Sequence, residues 1–142
     1  MRNSWICVDA NVVVRLVADP TDRPVRQLWE RWDEEARSVT APSLLRYEVT
    51  NALYRRWRLG EVSESAARDS LHAALALSIH LRNEPDLHAR AFTMAGRFAL
   101  PAAHDAHYQA LAESLGAELW TADERLARAV RPQLSWLRLI GE

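Results

Sequence analysis

Four acidic residues, Asp9, Glu48, Asp105 and Asp123, hold most of the chemistry available to this sequence. Each has an ordinary explanation when taken alone. Asp9 can simply end a strand, while Asp105 and Asp123 can sit in first helical turns, where the helix dipole favours an acid. Glu48 can be a rim acid paired with an arginine. Yet at about 100° per residue it falls between Leu44 and Ala52, inside the arc that also holds Leu45, Val49 and Leu53. An ionised carboxylate on that core-facing side is costly unless it is paired, hydrogen-bonded or bound to a cation. Asp105 borders an apolar face in the same way, next to Tyr108, Leu111, Ala112 and Leu115.

The combination says more than any member. Two strand-end acids and two helix acids facing one sheet edge would crowd like charges into one cleft, and cations make such a cluster tolerable. Carboxylate oxygens are hard ligands suited to Mg²⁺ or Mn²⁺, ions that keep several waters and also bind phosphates. The chemistry this predicts is metal-assisted phosphodiester hydrolysis: an acidified water attacks phosphorus in line while charge on the attacking and leaving oxygens is neutralised. It requires neither lysine nor histidine, and all 18 basic residues here are arginine.

The elements that must position these acids read as short strands alternating with helices. Trp5 to Val8 is an apolar run that stops at Asp9 and suits the middle of a parallel sheet. Thr21-Asp22 can cap, and Pro24 can open, a helix from Val25 to Ala36 with Val25, Leu28, Trp29 and Trp32 at helical spacing. Ser38 to Ala41 is the next strand, and Pro42-Ser43 opens a helix from Leu44 to Leu59 that Gly60 ends. Ser63 to Ala76 is an alanine-rich helix, and Leu77 to Leu81 a third strand. Asn83-Glu84-Pro85 breaks the chain, Asp86 caps a helix ending near Phe98, and Pro101 starts another that closes at Gly116. Glu118 to Trp120 is a fourth strand, a short helix runs to about Val130, and Trp136 to Ile140 is a last strand. The segment between Asp9 and Thr21 receives no element in this reading. The pattern predicts an α/β fold, a three-layer α/β/α sandwich around a mainly parallel sheet of about five strands. Ligands of such sheets collect outside the carboxyl ends of the strands, where Asp9 and Asp123 fall.

With 142 residues, 49% of them hydrophobic, one domain over 1–142 is expected. The formal net charge of −1 exerts no global pull on a polyanion, so a nucleic acid would have to be held by a local patch or by cations. The lack of lysine removes Schiff-base and phosphate-binding lysine mechanisms, and weighs against a receiver domain. Cys7 has no second cysteine to pair with, so a reducing cytoplasm is expected. No run approaches the roughly 20 apolar residues that cross a bilayer, and a soluble, unexported protein is the expectation.

Val8-Asp9-Ala10-Asn11, Glu48-Val49-Thr50-Asn51-Ala52-Leu53, Asp105 to Ala112 and Leu119 to Leu126 resemble, in order and in spacing, the PIN-domain nucleases. Within these the chain is most similar to the VapC-type toxins of toxin–antitoxin pairs. The resemblance implies that Asp9, Glu48, Asp105 and Asp123 bind the metal and that Asn11 and Thr121 support them by hydrogen bonds. Thr121 with Glu124 also reads as a plain capping box. It further implies an RNA endonuclease dependent on Mg²⁺ or Mn²⁺, a homodimer, and a cognate antitoxin whose C-terminal segment lies across the cleft. His104 departs mildly from the aromatic residue of many relatives and reads as a lining residue.

Arg15 is a candidate phosphate contact. In Tyr54-Arg55-Arg56-Trp57-Arg58 guanidinium groups and aromatic rings alternate, so Arg55, Arg56 and Arg58 can hold RNA, or can be a solvated helix end with cations on the C-terminal dipole. His104 and His107 stand at i, i+3 beside Asp105, but a zinc site wants more imidazole or thiolate than this. The six tryptophans read as packing. Leu71, Leu75 and Leu77 offer an apolar surface for a partner or for burial within the chain. A catalytically silent binding module of the same fold and a PIN-like DNA flap nuclease are the alternatives to an RNA endonuclease, since nothing here reads the 2′-hydroxyl.

Overall fold

A computed structural model describes residues 3–141. Among them are five strands, β1 (Trp5–Val8), β2 (Ser38–Pro42), β3 (Ile79–Arg82), β4 (Glu118–Thr121) and β5 (Leu137–Leu139). Seven helices accompany these: α1 (Ala10–Ala18), α2 (Arg23–Glu34), α3 (Leu44–Arg58), α4 (Glu64–Ala76), α5 (Asp86–Arg97), α6 (His104–Leu115) and α7 (Glu124–Val130).

The strands form one all-parallel sheet in the order β3-β2-β1-β4-β5. Its central strand β1 pairs Ile6 with Val39 on one side and with Glu118 on the other. Ile6, Cys7 and Val8 are fully buried, which is why this strand is apolar at every position rather than alternating. The chain winds outward from β1 through β2 to β3, then returns to β4 and β5. Right-handed crossovers therefore put α1 to α4 on one face and α5 to α7 on the other. In agreement, α1 packs on α2, α3 and α4, while α6 packs on α5 and on β1, β2 and β4. The three-layer α/β/α architecture expected from the sequence is the one observed.

The element missing from the sequence reading is α1. Its Val12-Val13-Val14 run has poor helix propensity, and no capping signal beyond Asp9 precedes it. Burial outweighs propensity here, because Val12, Val13 and Val14 are all inside the core. The other departures are local. β3 starts at Ile79 rather than Leu77, which caps α4, and α6 starts at His104 rather than Pro101. Asp86 lies in the first turn of α5 and is not its cap, a position held by Pro85 without a side-chain bond. Gly116 ends α6 at φ 62°, the left-handed conformation a glycine adopts without the steric cost of a side chain. Among the described residues no helix is long and apolar enough to cross a membrane.

Candidate active site

The winding direction reverses between β1 and β4, so the connections leaving their carboxyl ends turn away from each other and open a crevice. A single residue, Asp9, joins β1 to α1. Its backbone N–H donates to the Trp120 carbonyl at 3.0 Å, continuing the pairing with β4. Its side chain caps α1, with Oδ1 accepting from Ala10 N at 2.7 Å. Its Oδ2 accepts from the Thr121 hydroxyl at 3.0 Å and from Asn11 Nδ2 at 3.3 Å. Asn11 also donates to the Thr121 hydroxyl oxygen at 3.2 Å and accepts from Ala122 N at 2.9 Å. Thr121 in turn accepts from Asp123 N at 3.1 Å. Asn11 and Thr121 thus bind the ends of β1 and β4 into one network around Asp9.

Asp123 is the N-cap of α7, and its Oδ1 accepts from Arg125 N at 3.0 Å and Leu126 N at 3.1 Å. The capping-box reading of Thr121 with Glu124 is therefore incorrect: Asp123 takes the cap, and the Thr121 hydroxyl is committed to Asp9. Asp105 occupies the first turn of α6, and Glu48 projects from α3, where it accepts a short hydrogen bond from the Tyr108 hydroxyl of α6.

All four acids line one open cleft of about 360 Å³, together with Asn11, Arg15 and Arg56. Among the described residues none of the four is in an ion pair, and the cleft holds uncompensated negative charge. Asp9 is accordingly pushed up to about 7, first by burial, then by the neighbouring charge of Asp105 and, less strongly, of Glu48, against the opposing hydrogen bond from Thr121. Burial and the charge of Asp123 raise Asp105 as well. Tyr108 is held far into its protonated form by burial and by its bond to Glu48. Among the described residues, no three His, Cys, Asp or Glu side chains close into a ready-made cation cage. Mg²⁺ does not need one, since it keeps several waters and takes one or two carboxylates together with substrate phosphates. The donor set, hard oxygens in excess of local positive charge, fits such an ion.

The family assignment rests on sequence as well as geometry, for residues 6–132 match the PIN domain. The chain belongs to the PIN-domain family. This PIN domain is 32% identical over 127 residues to ribonuclease VapC3 of Pyrobaculum aerophilum, a match covering 86% of this chain and 92% of that protein. Its fold superposes on the crystal structure of PAE2754 from Pyrobaculum aerophilum with a TM-score of 0.64 and 29% identity, covering 88% of this chain and 86% of that one.

The basic candidates separate. Arg56 and Arg15 line the acid cleft of the PIN domain, whereas Arg55 and Arg58 of α3 are exposed and do not line it. Arg15 is also structural, its Nε donating at 2.6 Å to Asp22, the buried N-cap of α2. His107 is not available as a partner of His104 for zinc. Its Nδ1 lies 2.8 Å from the Ala103 carbonyl and its Nε2 3.0 Å from Nδ1 of His88. Two residues escaped the sequence reading: Asp22 as the anchor of Arg15, and Tyr108 as the donor to Glu48. The only signal for the second was that Tyr108 and Asp105 share a helix face at i, i+3.

Proposed function

We propose that this protein is an endoribonuclease that requires Mg²⁺ or Mn²⁺ and acts as the toxin of a toxin–antitoxin pair. The observation that carries the reading is the convergence of Asp9, Glu48, Asp105 and Asp123 on one cleft at the switch point of a PIN-domain sheet. Similarity to a ribonuclease over most of the chain supports RNA as the substrate.

Asp9, Glu48, Asp105 and Asp123 would hold the cation. When bound, it neutralises charge on the phosphodiester and acidifies the attacking water. Asn11 and Thr121 orient Asp9 by the hydrogen bonds described above, so that its carboxylate meets the cleft in one geometry. Arg15 and Arg56, on the cleft wall, are placed to contact phosphates. Arg55 and Arg58 extend that positive surface along α3 for the flanking strand. The chain functions in the cytoplasm as a homodimer, and a cognate antitoxin restrains it by covering the cleft.

Incubation of the purified protein with single-stranded RNA and DNA, with Mg²⁺, Mn²⁺ or EDTA, tests the proposal. RNA cleavage should require the cation and be lost in Asp9→Asn and Asp105→Asn, with Glu48→Gln weakening both cleavage and cation binding. Cleavage that persists in EDTA or in Asp9→Asn defeats the metal-centre reading, and preferential cleavage of DNA defeats the ribonuclease.

A further inference from the structure

The two helical layers of the sandwich are joined over the carboxyl edge of the sheet by a hydrogen bond between side chains. Tyr108, on α6, donates its hydroxyl to Oε1 of Glu48, on α3. The donor is anchored in the core. Tyr108 is 1% exposed, its ring lies in the hydrophobic core, and Cys7 Sγ of β1 sits 3.7 Å from its backbone carbonyl, at hydrogen-bond distance for sulfur. The acceptor is not fixed by its own surroundings. Glu48 is half-buried, its helix carries it into a cleft with three other acids, and Tyr108 is the hydrogen-bond partner found for its carboxylate among the described residues.

Like-charge repulsion from Asp9 and Asp105 favours swinging a flexible glutamate side chain outward to water, and ordering that side chain costs rotamer entropy as well. A donor anchored in the core opposes both. It holds one carboxylate oxygen and leaves Oε2 outside this bond.

We propose that Tyr108 is a positioning residue of the cation site, fixing Glu48 so that its carboxylate points into the cleft before any cation arrives. The inference rests on the reading of Glu48 as a cation ligand. Its logic is that of partners that orient metal ligands, whose removal typically weakens affinity or activity by roughly 10–100-fold.

The test is Mn²⁺ binding to the RNA-free protein, measured by calorimetry for wild type, Tyr108→Phe, Glu48→Gln and the double variant, with melting curves in EDTA for each. Tyr108→Phe keeps the buried ring, so the metal-free fold should persist while Mn²⁺ affinity falls roughly tenfold. In the Glu48→Gln background the same change should have little further effect, because the group it positions is gone. Glu48→Asp, which breaks the bond from the cleft side by shortening the acid and leaves Tyr108 in place, should also weaken Mn²⁺ without disturbing the core, and Tyr108→Phe should add nothing to it; full Mn²⁺ affinity in Glu48→Asp would overturn the positioning role by itself. Undiminished Mn²⁺ affinity in Tyr108→Phe, or losses that add in the double variant, overturn the positioning role while leaving the site in place. Wild-type protein that binds no Mn²⁺, or binding untouched by Glu48→Gln, removes the site and Tyr108's role with it.

Discussion

The Thr121 hydroxyl lies 3.0 Å from Oδ2 of Asp9, linking residues that are 112 positions apart in the chain and side by side at the centre of the sheet. Because the hydroxyl gives its one proton to Asp9, its lone pairs are left to accept from Asn11 and Asp123 N. The bond favours the charged form of an aspartate that burial pushes up to about 7. Thr121→Val should raise Asp9 further and make protons stronger competitors with the cation. Mn²⁺ affinity and cleavage should then fall more at pH 6 than at pH 9, with Thr121→Ser close to wild type. An equal loss at every pH would assign Thr121 a purely steric role.

Asp9's contribution to stability without cations should fall as pH rises from 3.8 to about 7. Asp9 moves from an ordinary value of 3.8 in the unfolded chain to about 7 in the folded one, so between these the native state holds the extra proton. Stability declines with pH wherever the native state binds more protons, so the penalty is absent below 3.8, grows across the window and is complete above about 7. Melting curves in EDTA should show Asp9→Asn gaining on wild type from pH 4 to pH 8. The pH-independent part of the difference reports the altered hydrogen bonds. Mg²⁺ should raise the melting temperature more at pH 8 than at pH 5. A difference between the two proteins that does not vary with pH would rule out the charged cluster.

Asp22 does two jobs, capping α2 through Val25 N and receiving Arg15 Nε. Asp22→Asn keeps a competent cap and loses the ion pair. With the Asp22 side chain 6% exposed but that of Arg15 39% exposed, the cost should be modest, about 1 kcal/mol. Asp22→Ala loses the cap as well and should cost about 2 kcal/mol or more by urea denaturation. Both should raise KM for RNA if the tether aims Arg15 at phosphate, and an unchanged KM would confine Asp22 to stability.

Cys7 should not react with thiol reagents in the native protein. It is fully buried, and burial, aided by the charge of Asp9, raises its thiol well above the usual range. Labelling should become rapid only in denaturant, at the same midpoint as the loss of helix. Fast labelling under native conditions would mean that the central strand opens by itself.

The layers, the count of about five strands and the inward placement of Glu48 were legible because they follow from local pattern. Strand β1 announces itself as an unbroken apolar run, and the arc of α3 places Glu48 on the inward side without reference to any other element. What stayed hidden depends on partners far away in the chain. The Tyr108–Glu48 bond spans 60 positions, and its one local trace is the helix face that Tyr108 shares with Asp105. Thr121 and Glu124, three apart, also look like a capping box, and only the family resemblance pointed to the bond that the Thr121 hydroxyl makes to Asp9 across the sheet. Helix α1 was missed for a related reason: three consecutive valines oppose a helix until the core encloses them.

An all-parallel sheet with β1 at its centre also dictates when the cleft can exist. Asp9 is made 112 residues before Thr121, so one of the two strands beside it and the cap that faces it arrive only with Thr121 and Asp123. Until β4 and the start of α7 have been made, Asp9 lacks both Thr121 and Asp123, so the four-acid cleft cannot assemble as synthesis proceeds and closes only when the last of its contributors joins the sheet.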